Sequence, residues 1–493
     1  MMGARLFFPA TMLVGALALA GCAGGSDADT TLDVGLVLEP SNLDIRHTSG
    51  AALEQALIDN VYQGLVTRGE NGEVVPALAK TWDVSDDGLT YTFTLNDGVT
   101  FHDGSALTAD DVVTSLSETQ NDPSATGSKD LAGISEISSP DEHTVILTLD
   151  EPNINQLFLL TGPGGLVFKK GDTTDLKTAE NGTGPFTLGE WIQKDSLSLE
   201  RYDDYWGDAA GVEEIVFHYI PDGNALVSAG LDGTLDVLTG VSAELAPQLE
   251  DDFTVTQGAT TDKFILAFNG KQAPLDDLRV RQALRMAIDH DAILKTVGAG
   301  EQQFGPIPKL DPGYEDLSDT TGYDPEGARE LLAEAGVSDL TLTLTFPNVY
   351  DQKVATLLVS MMKDIGVTLE VDTVEFSAWL NDVYGNRDYE LSFVNHVEPR
   401  DFDSWSNPDY YYSLTDADAL AEVQDLYADA MRQTDEAASA ELLAQAARVV
   451  AEQAPADWLY TRADIIATAP NVDGFPTAST SNRLNLSGVT FTD

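Results

Sequence analysis

The chain has 493 residues, 43% of them hydrophobic, and carries 26 Lys and Arg against 82 Asp and Glu, a formal net charge of −56. That length and apolar content allow two or three domains with sizeable cores. So acidic a surface argues against nucleic-acid binding and electrostatic membrane docking, and a single cysteine leaves no disulfide framework.

The chain opens on Arg5 and an apolar run from Leu6 to Ala20. A short basic start, an apolar stretch and small residues at its end read as an export signal over residues 1–21. Pro9 and the many small residues argue against a membrane span. Residues 22–31 are small and polar and read as a flexible tether. Beyond them strand-like and helix-like segments alternate. Period-two alternation predicts strands at Leu89–Leu95, Thr144–Leu149, Thr341–Phe346 and Thr368–Val374. Thr108 with Asp111 three residues on resembles a capping box and predicts a helix running through Val112 and Leu116. Asp324-Pro325-Glu326 supplies a cap, a first-turn proline and an acid, and Gly336 a stop. A later helix carries Leu420, Val423, Tyr427, Ala430 and Met431 on one face. The pattern is mixed α/β.

Catalytic signatures fail. There is no Gly-x-Ser-x-Gly elbow, no His-Glu-x-x-His, no Walker loop and no cysteine pair. Asp83, Ser85, Asp87 and Gly88 imitate the start of a calcium loop, but Thr94 stands where a bidentate Glu is needed. Gly182-Thr183-Gly184-Pro185 is too short for a dinucleotide loop. The six histidines are scattered. Carboxylate pairs are too abundant for any one to be nominated as acid and base.

Cys22 sits directly behind Leu19-Ala20-Gly21, which resembles the lipobox of bacterial lipoproteins. The resemblance implies a diacylglycerol on the Cys22 thiol and an extracytoplasmic protein anchored by lipid to the cell membrane. From there on the sequence resembles the family 5 extracellular solute-binding proteins, the peptide and nickel receptors of ABC importers. Matching blocks come in family order: Glu39–Asp44, Tyr62–Val66, Pro76–Ala79 with Trp82, and Phe101–Gly104 with Leu107–Val112. Gly182–Phe186, Tyr205-Trp206, Asp232–Asp236, Leu266–Asn269 and Arg279–Asp289 follow. Trp82, Tyr91, Phe93 and His102 read as structural within these blocks, and Arg279 and Arg281 as partners of Asp276 or Asp277.

The resemblance implies a two-lobed, periplasmic-binding-protein-like α/β fold (a Venus flytrap of type II, in the large peptide-binding subclass). Lobe I would comprise 32–260 plus 468–493, with an inserted subdomain at about 50–179; lobe II would comprise 261–467. Phe264–Asn269 and a segment near Ile465–Ala469 would cross between them. Ligand binds in the cleft and is not transformed. The candidate contacts are Asn42, Gly184 and Asn269 near the crossings, Tyr62, and Glu398, Arg400, Asp401 and Trp405 in a charged stretch of lobe II. In peptide receptors of this kind an acid holds the ligand α-ammonium. Glu398 and Asp401 are both candidates, His396 would orient Glu398, and Arg400 suits a ligand carboxylate. The implied partners are a short peptide, an ABC permease and, through it, ATPase subunits; the receptor would be a monomer that binds no nucleic acid. No cofactor or resident metal is implied. Nickel chelates, opines and oligosaccharides stay open as solutes, and a carboxylate-dependent exported hydrolase as the alternative class.

Overall fold

The computed structural model describes residues 31–69, 71–477 and 483–492. Cys22 and the leader before it, and with them the lipidation and signal assignments, lie outside the described residues.

Two long antiparallel strands, Thr254–Phe268 and Ala456–Thr468, organise the molecule. Their inner halves, Phe264-Ile-Leu-Ala-Phe268 and Ala456-Asp-Trp-Leu-Tyr460, are buried on both faces, as β-branched and aromatic residues in a central strand prefer. Beyond the first strand lie Leu391–His396, Thr341–Pro347 and Thr368–Val374. Beyond the second lie Val237–Leu238, Thr31–Leu36, Glu214–Tyr219, Ser196–Arg201 and Phe186–Ile192. One mixed sheet thus serves two lobes, each with its own apolar core. In one, Val34, Phe186 and Phe217 pack together; in the other, Phe268, Leu344 and Phe393 do.

The expected crossing strand at Phe264–Asn269 begins at Thr254, and the expected return segment is the end of a strand that starts at Ala456. The Thr-rich start Thr-Val-Thr-Gln-Gly-Ala-Thr-Thr carries no apolar signal; pairing with Ala463–Thr468 holds it. The register slips between the Ala259–Ala463 and Lys263–Thr461 pairs, leaving Thr260, Thr261 and Asp262 unpaired. Such a bulge bends and twists a strand pair where it changes lobes.

A four-stranded antiparallel sheet, in the order Ala79–Val84, Thr90–Leu95, Thr144–Leu149, Ile134–Asp141, packs with helix Ala109–Asn121 around Phe93, Phe101 and Leu147. Thr90–Leu95 and Thr144–Leu149 bury every second residue, as their alternation requires. The helix begins where Asp111 Oδ2 accepts from the Thr108 amide at 2.9 Å and its hydroxyl at 2.7 Å. Helix Pro325–Glu334 starts on Asp324, whose carboxylate accepts from the amides of Glu326 and Gly327. Among the described residues, no helix is long and apolar enough to cross a membrane.

Candidate functional site

Beyond strand Leu391–His396 the lobes touch again. Strand Leu391–His396 leads into a turn where Arg400 adopts φ 53°, a left-handed conformation that costs a side-chain-bearing residue energy. Its amide donates to Asp311 Oδ2 at 2.7 Å, which holds the turn. The Arg400 guanidinium then reaches the other lobe. Nη1 donates to Asn155 Oδ1 at 3.2 Å, and the charge lies 4.1 Å from the centre of the Phe158 ring. Arg68 stands over the same ring at 4.1 Å. The Ile154 amide also donates to the Met431 carbonyl at 3.0 Å.

Behind this contact sits a buried cation. Lys263 is 1% exposed, and its ammonium donates to Asp401 Oδ1 at 3.0 Å and to the Glu398 carbonyl at 3.1 Å. Lysine is rarely buried without such partners. Burial pushes the Asp311 carboxyl up to about 6, against the pull of Lys263. The space enclosed by Asn155, Asp311, Arg400 and Asp401 is about 20 Å³, room for one water. The Glu398 side chain, by contrast, is exposed. Across the cleft, burial pushes up the carboxyls of Glu54 and Asp130, and repulsion from Glu398 adds to both shifts. Arg483 and Arg68 pull Glu54 back.

A larger cavity opens beside the crossing strands. It holds about 350 Å³ and is lined by Leu38, Gln55, Arg462, Asp464 and Arg483, among others. That volume lies within the range of small-ligand sites, roughly 300–1,000 Å³. Arg462 is braced at the bulge by Asp262 at 3.3 Å and Asp464 at 3.0 Å.

The eight candidate contacts divide. Glu398, Arg400 and Asp401 come together at the lobe contact. Asn42 caps a turn, its Oδ1 accepting from the Asp44 amide and the Thr48 hydroxyl. Tyr62 is 1% exposed and packs on Phe168. Gly184 lies so close to the backbone of Asn60 that a Cβ would meet its carbonyl oxygen at 2.3 Å. Asn269 donates to the carbonyls of Tyr389 and Arg387. Trp405 is 1% exposed, stacked on Tyr412 with centroids 3.9 Å apart. These five residues meet other parts of the protein.

The model of the bacterial extracellular solute-binding proteins, family 5, matches residues 73–419. The chain belongs to this family. It is 28% identical over 464 residues to di/tripeptide-binding protein 1 of Pseudomonas aeruginosa, covering 84% of this chain and 86% of that protein. Over 399 residues it is 30% identical to di/tripeptide-binding protein 2 of the same organism, covering 73% and 75%. The crystal structure of the ABC transporter substrate-binding protein CtaP of Listeria monocytogenes superposes with a TM-score of 0.84 at 22% identity, covering 94% of this chain and all of that one. Family 5 consists of two-lobed solute-binding proteins of transport systems rather than enzymes.

Within this family 5 member, two expectations change. His396 does not orient Glu398; its Nε2 meets the Tyr411 hydroxyl at 2.8 Å, and burial pushes the imidazole down to about 4, which keeps it neutral. Arg281 makes no salt bridge to the carboxylate of Asp276 or Asp277 but donates to the backbone carbonyls of Leu275, Asp276, Gln453 and Ala454. Arg279 does pair with Asp277, at 2.6 Å. His102 is structural, bonded to Glu180 and, at 2.9 Å, to the Gly184 carbonyl. Sequence reasoning missed Glu54, Asn155, Lys263, Asp311 and Arg483. Lys263 alone left a sign, as a lone cation heading the apolar run Phe264–Phe268. Among the described residues, no group of three or more His, Cys, Asp or Glu is placed to hold a metal.

Proposed function

We propose that this chain is the peptide receptor of an ABC importer, lipid-anchored through Cys22 and working as a monomer, that closes its two lobes over a short peptide and hands it to the permease unchanged. The observation that carries the reading is the cavity beside the crossing strands. It has the size of a small-solute site and carries charges of both signs, Arg462, Arg483 and Asp464, beside the apolar Leu38. A zwitterion with an apolar side chain suits that lining. Two relatives named for di- and tripeptide binding lend support.

Of the two candidate acids, Asp401 is already neutralised by Lys263. Glu398 is exposed, and its charge, of the same sign, acts on the carboxyls of Glu54 and Asp130. A peptide ammonium between Glu398 and Glu54 would replace repulsion by attraction and draw the lobes together. Coupling of this kind is what lets a ligand favour the closed state, because it contacts both lobes at once.

The test is mass spectrometry of solute released by denaturing gently purified protein, followed by calorimetry with the solutes found. Short peptides are expected. A single metal chelate, opine or sugar, or conversion of the solute, would replace this reading. Detergent partitioning of the full chain against Cys22→Ala tests the anchor, with wild type expected in the detergent phase and the variant in water.

A further inference from the structure

The crossing strands have two faces, and the cavity lined by Arg462 occupies one of them. In an antiparallel pair, directly opposed residues share a face and successive residues alternate. Gly258 opposes Asp464 and Thr256 opposes Ile466, and both Asp464 and Ile466 line that cavity. Arg483 in its wall donates to the Thr161 carbonyl, close in the chain to the Phe158 on which Arg400 lies, so this cavity and the lobe contact share a side. Gln257 opposes Ile465 and Val255 opposes Ala467, which puts them on the other face. There a second cavity, of about 390 Å³, has Val255, Gln257 and Ile465 as its floor. Its walls come from both lobes: Ala243, Ala246 and Pro247 on one side, Gly298 on the other. Gly298 ends helix His290–Val297, whose Ile293 belongs to the core of Phe268, Leu344 and Phe393. Ala246 belongs to a different cluster, with Leu238 and Leu249, and Ala299 rests on that cluster from across the seam. At one end the walls already meet, since a Cβ on Gly298 would stand 2.8 Å from that of Ala243.

We propose that this rear cavity is the room into which the lobes turn when the cleft opens, so that a side chain filling it holds the receptor closed. Rigid lobes turning about two strands move in opposite senses on the two faces of those strands. Here the front is shut by Arg400 on Asn155, and the rear stands open. Opening the front drives Gly298 and Ala299 toward Ala243 and Pro247. Packed groups do not compress, so the swing ends when the cavity is used up. The small side chains on both walls leave that swing long, and larger ones would shorten it. The device rests on the closing motion of the reading above and is independent of the solute's chemistry. It acts only on the balance between open and closed lobes, which is enough to change affinity without touching the solute.

The test fills the cavity from its floor. Gln257 is exposed and lies on a strand, where tryptophan is well accommodated, so Gln257→Trp should fold. Pro247→Trp, from the exposed wall, is the second variant. X-ray scattering of the solute-free full chain is expected to give both a smaller radius of gyration than wild type. Either should also reverse the enlargement caused by Arg400→Gly. Calorimetry with a panel of di- and tripeptides should show binding tightened about three- to tenfold, by one factor for every peptide, because the gain comes from removing open states. Gln257→Ser should keep wild-type values. Unchanged radii in both folded tryptophan variants would overturn the proposal, as would an equal gain in Gln257→Ser. Gains that differ from peptide to peptide would also overturn it, by placing Gln257 against the solute. A wild-type radius indifferent both to peptide and to Arg400→Gly would end the closing motion itself, and the device with it.

Discussion

Asp401→Asn and Glu398→Gln are expected to have opposite effects, although sequence alone offers both acids for the same role. Asp401 faces a lysine that is 1% exposed, at 3.0 Å. Neutralising it leaves a buried ammonium with carbonyl partners only, and breaking one side of a buried pair costs about 3–5 kcal/mol. Asp401 keeps 13% exposure, so the lower end is expected, about 3 kcal/mol. Urea unfolding followed by fluorescence should show that loss, while peptide affinity of the folded protein changes by less than about threefold. Glu398→Gln removes an exposed charge and should move stability by no more than about 0.5 kcal/mol. It also removes the charge-assisted contact to the ligand ammonium, worth about 1.5–3 kcal/mol, or roughly a ten- to hundredfold weaker dissociation constant. N-acetylated peptides should not distinguish wild type from this variant. A stable Asp401→Asn protein that has lost peptide affinity, beside a fully active Glu398→Gln, would refute the reasoning. The double variant Lys263→Met/Asp401→Leu supplies a control. It removes both charges and should recover most of the stability lost by Asp401→Asn.

Arg400→Gly relieves the left-handed backbone yet deletes the guanidinium. Losing a cation–π contact and a hydrogen bond, together about 2 kcal/mol, should shift the solute-free closed-to-open ratio about thirtyfold, read as a larger radius of gyration by X-ray scattering. The Asp311 carboxyl is raised from 3.8 to about 6, so the native state holds more protons than the unfolded state between those values. Stability contributed at this group therefore falls as pH rises from about 4 to about 6, by up to about 3 kcal/mol. Asp311→Asn should lack that component, so it should appear in the wild-type-minus-variant difference of unfolding free energies taken across the window. Gly184→Ala drives a Cβ to 2.3 Å from the Asn60 carbonyl oxygen and should cost about 1–3 kcal/mol in thermal unfolding.

The elements visible in the sequence were those whose cause is local. Thr108 with Asp111, Asp324 with Pro325, and the alternation of Thr144–Leu149 each specify their structure within a few residues, and each is present. The outer half of strand Thr254–Phe268 was invisible because its Thr-rich residues owe their conformation to a partner strand about two hundred positions away. The cleft was hard to read for the same reason. Its charges come from Glu54, Asp130, Lys263, Arg462 and Arg483, no two of which are near in sequence. Family blocks pointed to Asn42, Tyr62, Gly184 and Asn269, and the charged stretch of lobe II to Trp405, residues that hold turns, cores and close backbone contacts. The charged stretch Glu398–Asp401, which lies outside those blocks, is the one that sits at the lobe contact.

Closure then depends on two contacts of opposite tendency. Arg400 on Asn155 and Phe158 favours closed lobes with no solute present, while repulsion of Glu398 by Asp130 and by Glu54, weaker at Glu54 than the pull of Arg483 and Arg68 there, opposes closure. A solute shifts the balance only through what it adds in the closed state. An ammonium between Glu398 and Glu54 reverses the sign of the second contact and leaves the first untouched. Moving lobes from mostly open to mostly closed takes about 5.5 kcal/mol of differential affinity. One charge-assisted contact at about 1.5–3 kcal/mol does not reach that, so contacts along the rest of the solute must supply the remainder. A receptor built this way should close over peptides with a free amino end and leave N-acetylated peptides in a partly open complex, a difference that scattering at saturating peptide would resolve.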